Sequence, residues 1–357
     1  MDQIRLWFKN YDQDLERVRR FWMGEGRYLI SLTTGFESYR QSFNDEVMVS
    51  KTPMNLEFQA KVPGINLPTF FADFGTISTA RYWGGSDHFD STGGNIFIDP
   101  VAQTLDEALK LSPMPVDHPA MDGAHGLRLY KQICQSLHTE SLWLRSPDMQ
   151  GTLNTAGLIM NQEQLLVDMF SEKGKVYAFL DKVSDFLIEY ALYLRKETAS
   201  TNHPGGKVCG NIWPYTFIPD GSGICFTEDL MPLLSSKMYK EFGLPYLKKF
   251  QSALGGLLIH CCGDWGRHAR TLHEADLNLM AMEFHYPLTR IEELECLADQ
   301  TAFIPYILLY QQERFQNTAE YYRYLIEESP PNYRYWFACT EETPEMLEFV
   351  REYGEGG

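Results

Sequence analysis

Residues 257 to 264 read Leu-Leu-Ile-His-Cys-Cys-Gly-Asp, an apolar run that ends on His260 and Cys262, two positions apart. On an extended chain successive side chains alternate between faces, so these two share one side. Gly263 follows and permits a sharp turn, which puts the pair at a strand end. An imidazole beside a thiolate is a donor pair suited to zinc. A tetrahedral site needs more donors, and two other β-rich runs end on candidates: Glu283 closes Leu277–Glu283, and Cys339 closes Arg334–Cys339. A cysteine at a strand end is also a common small buried hydrophobe, the reading preferred for adjacent Cys261, so a metal site and packed core cysteines both satisfy the pattern on these residues alone.

Positioning four donors that lie so far apart in the chain requires a fold that gathers strand ends. Eight β-rich runs are visible: Arg27–Thr33, Thr69–Gly75, Ser141–Ser146, Lys207–Ile212, Leu257–Cys261, Leu277–Glu283, Ala302–Leu308 and Arg334–Cys339. Helical spacing marks Gln162–Glu197, Ser236–Leu254 behind a Ser235 cap, Arg267–Ala275 and Thr318–Glu328. Strands alternating with helices predict an α/β fold, here a single (β/α)8 TIM barrel, whose active sites sit at the C-terminal strand ends. Ahead of it, Ile4, Trp7, Tyr11, Leu15, Val18 and Trp22 recur at steps of three and four, predicting an amphipathic helix within residues 1–25 that packs on a barrel spanning 26–357. Glycines and prolines break every period between 76 and 125, which reads as a long irregular excursion over the barrel mouth.

The 357 residues suffice for one large domain, and 44% apolar residues suffice for its core. Lys plus Arg number 31 against 48 Asp plus Glu, a formal net charge of -17 that repels nucleic acid and anionic membrane surfaces. Apolar runs are too short to span a bilayer, and the charged first residues do not resemble a secretory signal, so the mature chain is expected to start at Met1. Seven cysteines, an odd count with two adjacent, fit a reduced cytoplasmic setting better than a disulfide framework.

At His260-Cys261-Cys262-Gly263 the chain resembles the uroporphyrinogen decarboxylase superfamily, and within it the branch of zinc-dependent, corrinoid-linked methyltransferases. The resemblance extends to Thr227-Glu228-Asp229-Leu230, to Leu233-Leu234-Ser235, to Tyr239-Lys240-Glu241-Phe242 and to Pro245-Tyr246-Leu247-Lys248-Lys249. It continues at Phe337-Ala338-Cys339-Thr340 and Thr343-Pro344-Glu345-Met346-Leu347, so that it covers Ser141 to the C-terminus. It implies that His260, Cys262 and Cys339 hold zinc, with Glu283 a fourth donor by analogy with cobalamin-independent methionine synthase. Glu283 and Asp229 are then the candidate catalytic acids, and Arg27, Asn211, Trp213 and Tyr306 candidate substrate contacts.

The activity so implied moves a methyl group between a thiol, or a methylated oxygen or nitrogen compound, and the cobalt of a corrinoid. No Asp-x-His-x-x-Gly segment is present, so the corrinoid is expected on a separate partner protein. A homodimer is left open. Two other readings share these residues. Gly26-Arg27-Tyr28-Leu29 resembles the decarboxylase branch, although Met23 stands where that branch carries a further arginine. A barrel without catalysis that binds a corrinoid protein or a thiol is the other. Pro305-Tyr306 and Ser146-Pro147 depart from the Gly-Asn and Gly-Pro pairs frequent in methyltransferase relatives. Asp220, Asn211, Trp213 and Tyr215 are expected at the mouth after the fourth strand, and His203, His268, His273 and His285 read as solvated or hydrogen-bonded surface residues.

Overall fold

A computed structural model of the chain describes residues 2–32, 45–72, 74–89, 96–210 and 216–354. Its strands are β1 (Tyr28–Leu32), β2 (Thr69–Phe71), β3 (Asp87–Phe89), β4 (Ile96–Ile98), β5 (Trp143–Arg145), β6 (Val208–Cys209), β7 (Gly223–Thr227), β8 (Gly256–His260), β9 (Leu279–Tyr286), β10 (Ala302–Ile307) and β11 (Arg334–Cys339). Six form one parallel sheet in the order β1-β11-β10-β9-β8-β7, and three form a second in the order β2-β5-β6. An isolated parallel bridge joins Gln150 to Thr227 at the end of β7, and an isolated antiparallel one joins Gly64 to Ser31 of β1. This is the mixed α/β architecture that the sequence pattern requires, with pairing among the described residues divided between two sheets rather than running as one continuous ladder.

Strand alternation sorts the side chains into two layers. Phe337 of β11 packs against Tyr322 and Phe349 of the helices Thr318–Glu328 and Pro344–Tyr353, while neighbouring Trp336 faces the other way. There its indole nitrogen donates to Ser31 Oγ (2.9 Å) and its ring meets Phe21, Trp22 and Phe217. The helix Tyr11–Trp22 therefore meets this face of the sheet through Phe21 and Trp22, and the single stripe expected from Ile4 to Trp22 is divided between it and a separate helix, Gln3–Trp7. Trp22 Nε1 donates to the Phe217 carbonyl (2.7 Å), and Trp143 Nε1 donates to Tyr11 Oη (3.0 Å). Asp12 and Asp14 in its first turn and Arg19 and Arg20 in its last oppose the helix dipole.

Several sequence expectations need correction. β7 was missing from them because, among the described residues, only the short 3-10 turn Pro219–Gly221 stands between it and β6, so no α-helical period announces it. The long run 162–197 is two helices, Gln162–Ser171 and Lys173–Thr198, broken at Glu172. The run 236–254 is likewise two, Ser236–Phe242 and Leu244–Leu254, parted at Gly243 where Pro245 restarts the turn. The stretch read as irregular carries the helices Ser78–Arg81 and Leu105–Ala108, the β3–β4 hairpin and the start of the helix Asp122–Ser136. No helix among the described residues is long and apolar enough to cross a membrane.

Two outcomes follow. Trp336 is fully buried, so Trp336→Ala is expected to lower stability by about 3–5 kcal/mol in urea unfolding. Burial pushes the Asp14 carboxyl up to about 6, against the opposing Asn66 backbone N–H (3.2 Å) and Arg17. A carboxyl whose proton is held more tightly in the folded chain stabilises it fully in acid, and that contribution is lost as pH rises from about 4 to about 6. Asp14→Asn should remove this decline, so that its urea midpoint gains on the parent's over that interval and then levels.

Candidate metal centre

β7, β8, β9 and β10 lie side by side, and their C-terminal ends bring four chemistries together. Thr227 pairs with His260, Ile259 with Met282, Glu283 with Ile304, and His285 with Tyr306, so one step beyond each registered pair sets the rim. The backbone N–H of Glu228 donates to the His260 carbonyl (2.8 Å), extending the β7–β8 ladder and delivering Asp229 to the edge of His260. Beyond Cys262 the chain must pass close to Pro232: a Cβ on Gly263 would lie 2.7 Å from its Cγ, which explains the glycine. Thr289 ties this turn to β9 by donating to the Gly263 carbonyl (3.1 Å) and accepting from the Trp265 backbone N–H (3.0 Å).

His260 uses both ring nitrogens. Nε2 lies 3.8 Å from Asp229 Oδ1, and Nδ1 lies 2.7 Å from Glu283 Oε1. Asp229 Oδ1 also accepts from the Cys262 backbone N–H (3.0 Å) and from its Sγ (3.2 Å). The side chain of Asp229 is 38% exposed and Cys262 is exposed, whereas Glu283 is 3% exposed. Donor atoms of Asp229, His260 and Cys262 lie within 4.8 Å of one another, and so do those of His260, Glu283 and His285. Burial alone would pull the His260 ring down, yet the charge of Glu283, a hydrogen bond with Cys262 and the charge of Asp229 hold it well above the usual histidine range. Burial raises Glu283, and the two imidazoles outweigh it and hold the carboxyl below its ordinary value.

The adjacent acids have different fates. Glu228 is sealed behind Gly151 and pushed up to about 8, first by burial and then by the charge of Asp229. Of the two neighbours, Glu228 is thus the enclosed carboxyl and Asp229 the one at the rim.

Cys339 ends β11 opposite Leu32. Alternation from Trp336 puts its side chain on the helix-covered side with Phe337, fully buried, and it belongs to neither donor group; burial, followed by Glu341, raises its thiol. Cys261 is buried, as expected of a core residue. Arg27 precedes β1 and donates to the Ser329 carbonyl (2.6 Å), so it stands at the N-terminal strand ends, across the sheet from His260. At that end it tethers main chain, because a residue before a parallel strand emerges at the opposite end from one after it. Asp220 precedes β7 in the same way and is paired with Arg19 (3.0 Å) rather than reaching the mouth. Asn211, Trp213 and Tyr215 lie outside the described residues. Tyr306 stacks on His285, with ring centroids 5.2 Å apart.

His285 is the functional candidate that the sequence reading passed over as a surface residue. Its signal was present: it lies two positions after Glu283 on an extended run and so shares that residue's face. His203 and His268 are also buried rather than solvated.

A scan against protein-family models and a search of the curated proteins give no match. Among solved structures the chain is similar to a methyltransferase from Methanosarcina mazei, with TM-score 0.65 and 12% sequence identity over 95% of this chain and 97% of that one. The likeness is one of fold, and it runs through nearly the whole length of both chains.

Proposed function

We propose that this chain is a zinc-dependent methyltransferase that moves a methyl group between a small substrate, either a thiol or a methylated oxygen or nitrogen compound, and the cobalt of a corrinoid carried by a separate cytoplasmic protein. The observation that carries the reading is the convergence of Asp229, His260 Nε2 and Cys262 at the exposed strand ends. The fold shared with a methyltransferase adds to it, and with it the view that the two sheets form parts of one TIM barrel wall behind the 1–25 extension.

The donor set fits zinc: a thiolate, an imidazole and a carboxylate, with an exposed cysteine on the open side for a reactant to approach. His260 and Cys262 would hold the ion, with Asp229 the nearest oxygen donor. Cys339, the third ligand implied by resemblance, joins them only if the end of β11 turns its sulfur inward. When bound, zinc supplies Lewis acidity that keeps a substrate thiol ionised near neutral pH.

The chain's own residues then set the geometry around the reactant. Asp229, fixed by the Cys262 backbone N–H, holds a negative charge beside the sulfur and limits where an anionic reactant can lie. Tyr306, with its ring held flat by His285, offers an apolar face for the substrate beside the donors. Asn211 and Trp213 are proposed as further contacts on the strength of the resemblance. A thiolate, a carboxylate and an imidazole would leave bound zinc with less net positive charge than three neutral imidazoles would, which suits a bound thiolate that must stay nucleophilic.

Protein purified from zinc-supplemented culture should contain about one zinc per chain. Cys262→Ser should weaken zinc binding by more than about 100-fold in chelator competition. An equal loss in Cys339→Ser means that β11 turns inward on loading, and retention leaves Asp229 as the third donor. Parent protein without stoichiometric metal refutes the zinc reading. Methyl transfer is tested separately with free cob(I)alamin and methylated substrates, and with methylcobalamin and thiols. The parent should turn over in at least one direction, with Cys262→Ser slower by at least about 100-fold. No turnover in either direction by zinc-loaded protein leaves only the non-catalytic binding role.

A further inference from the structure

Glu283 is almost fully enclosed, yet one of its oxygens meets two imidazoles. Oε1 lies 2.7 Å from His260 Nδ1 and 2.9 Å from His285 Nε2, and Oε2 has no hydrogen-bond partner among the described residues. The two rings stand nearly perpendicular, at 84° with centroids 5.8 Å apart, so they reach the shared oxygen from different directions. The carboxylate's backbone is pinned as well, because the buried Trp265 indole donates to the Glu283 carbonyl (3.0 Å). His285 is in turn fixed by Tyr306, its registered neighbour on β10, stacked at 30°.

An imidazole that binds a metal through one nitrogen must keep its proton on the other, and the partner of that second nitrogen decides which is which. Here Glu283 occupies Nδ1 and leaves Nε2 toward Asp229 and Cys262. We propose that Glu283 and His285 are positioning residues: Glu283 holds the His260 ring with Nε2 aimed at the metal, and His285 holds Glu283 back from becoming a ligand. This rests on the zinc reading above and replaces the sequence expectation of Glu283 as a fourth donor. The second donor group, His260 with Glu283 and His285, is then an orienting relay rather than an ion site.

The test uses cobalt(II) as a visible probe in the metal-free full-length protein, with zinc affinity measured by chelator competition and folding checked by circular dichroism. The variants are Glu283→Gln, His285→Gln and His285→Phe, with Cys262→Ser as the ligand control. Glu283→Gln should bind zinc about 10–100-fold more weakly while keeping the parent's cobalt band positions and intensities. His285→Phe should weaken binding about 10-fold, and His285→Gln, which retains an N–H donor, should recover most of it.

A change in the cobalt bands of Glu283→Gln like that of Cys262→Ser makes Glu283 a direct ligand and overturns the proposal. Complete loss of metal in both His285 variants places the ion between the imidazoles, with the same consequence. Unchanged affinity in Glu283→Gln and His285→Phe also overturns it. Should Glu283→Gln not fold, the contrast between the two His285 variants decides alone. A parent that takes up neither metal brings down the zinc reading and this inference together, whereas a parent that loads normally beside unaffected variants brings down only the inference.

Discussion

The contact between His260 Nδ1 and Glu283 Oε1, 2.7 Å long between the end of β8 and the body of β9, is the constraint on which the rest of the site depends. It needs the parallel register that β8 and β9 take up after the shift between Leu257 and Leu258, where Ile259 pairs with Met282 and the next residues come level. It also needs a carboxylate kept ionised in a place where burial opposes charge. Burying a carboxylate alone costs several kcal/mol, and two imidazole partners on a single oxygen offset that cost. With the imidazole so held, its other nitrogen faces Asp229 and Cys262 at the solvent edge, and the site has a dry side and an open side.

The same division governs the acids. Glu228 and Asp229 are consecutive, yet the β7–β8 ladder draws the first inward and leaves the second on the rim. A chain with a net charge of -17 cannot attract anionic partners by its overall field, so recognition of a reactant must rest on local groups such as these. Behind the rim, the interior is filled by aromatic rings from both ends of the chain. Phe21 and Trp22 of the first long helix close on Trp336 of the last strand, which ties the N-terminal extension to the strand next to β10.

Much of this was readable from residues in order. The His-x-Cys spacing placed His260 and Cys262 at a strand end, and alternation of strands with helices indicated an α/β fold, because both are local properties of an extended or helical chain. The helix Tyr11–Trp22 and the helix Thr318–Glu328 were legible from apolar spacing for the same reason. Strand β7 was not, since a short run preceded only by the 3-10 turn Pro219–Gly221 among the described residues has no period to betray it. Asp220 was misplaced because sequence shows that a residue adjoins a strand, and only chain direction shows which end of the sheet it reaches.

The residue types that could bind a metal, the placing of His260, Cys262 and Cys339 at strand ends and the net negative charge were thus legible in sequence, each being a matter of composition or of contact between chain neighbours, whereas Glu283, expected to close its strand, lies inside β9, which runs on to Tyr286. Which donors meet was decided by tertiary structure. Register between β8 and β9 joined His260 to Glu283, and the facing of β11 turned Cys339 toward the helices. Register between β9 and β10 set Tyr306 on His285. These are contacts between segments far apart in the chain, and the pairing of strands, not the order of residues within any one of them, determines where each side chain ends.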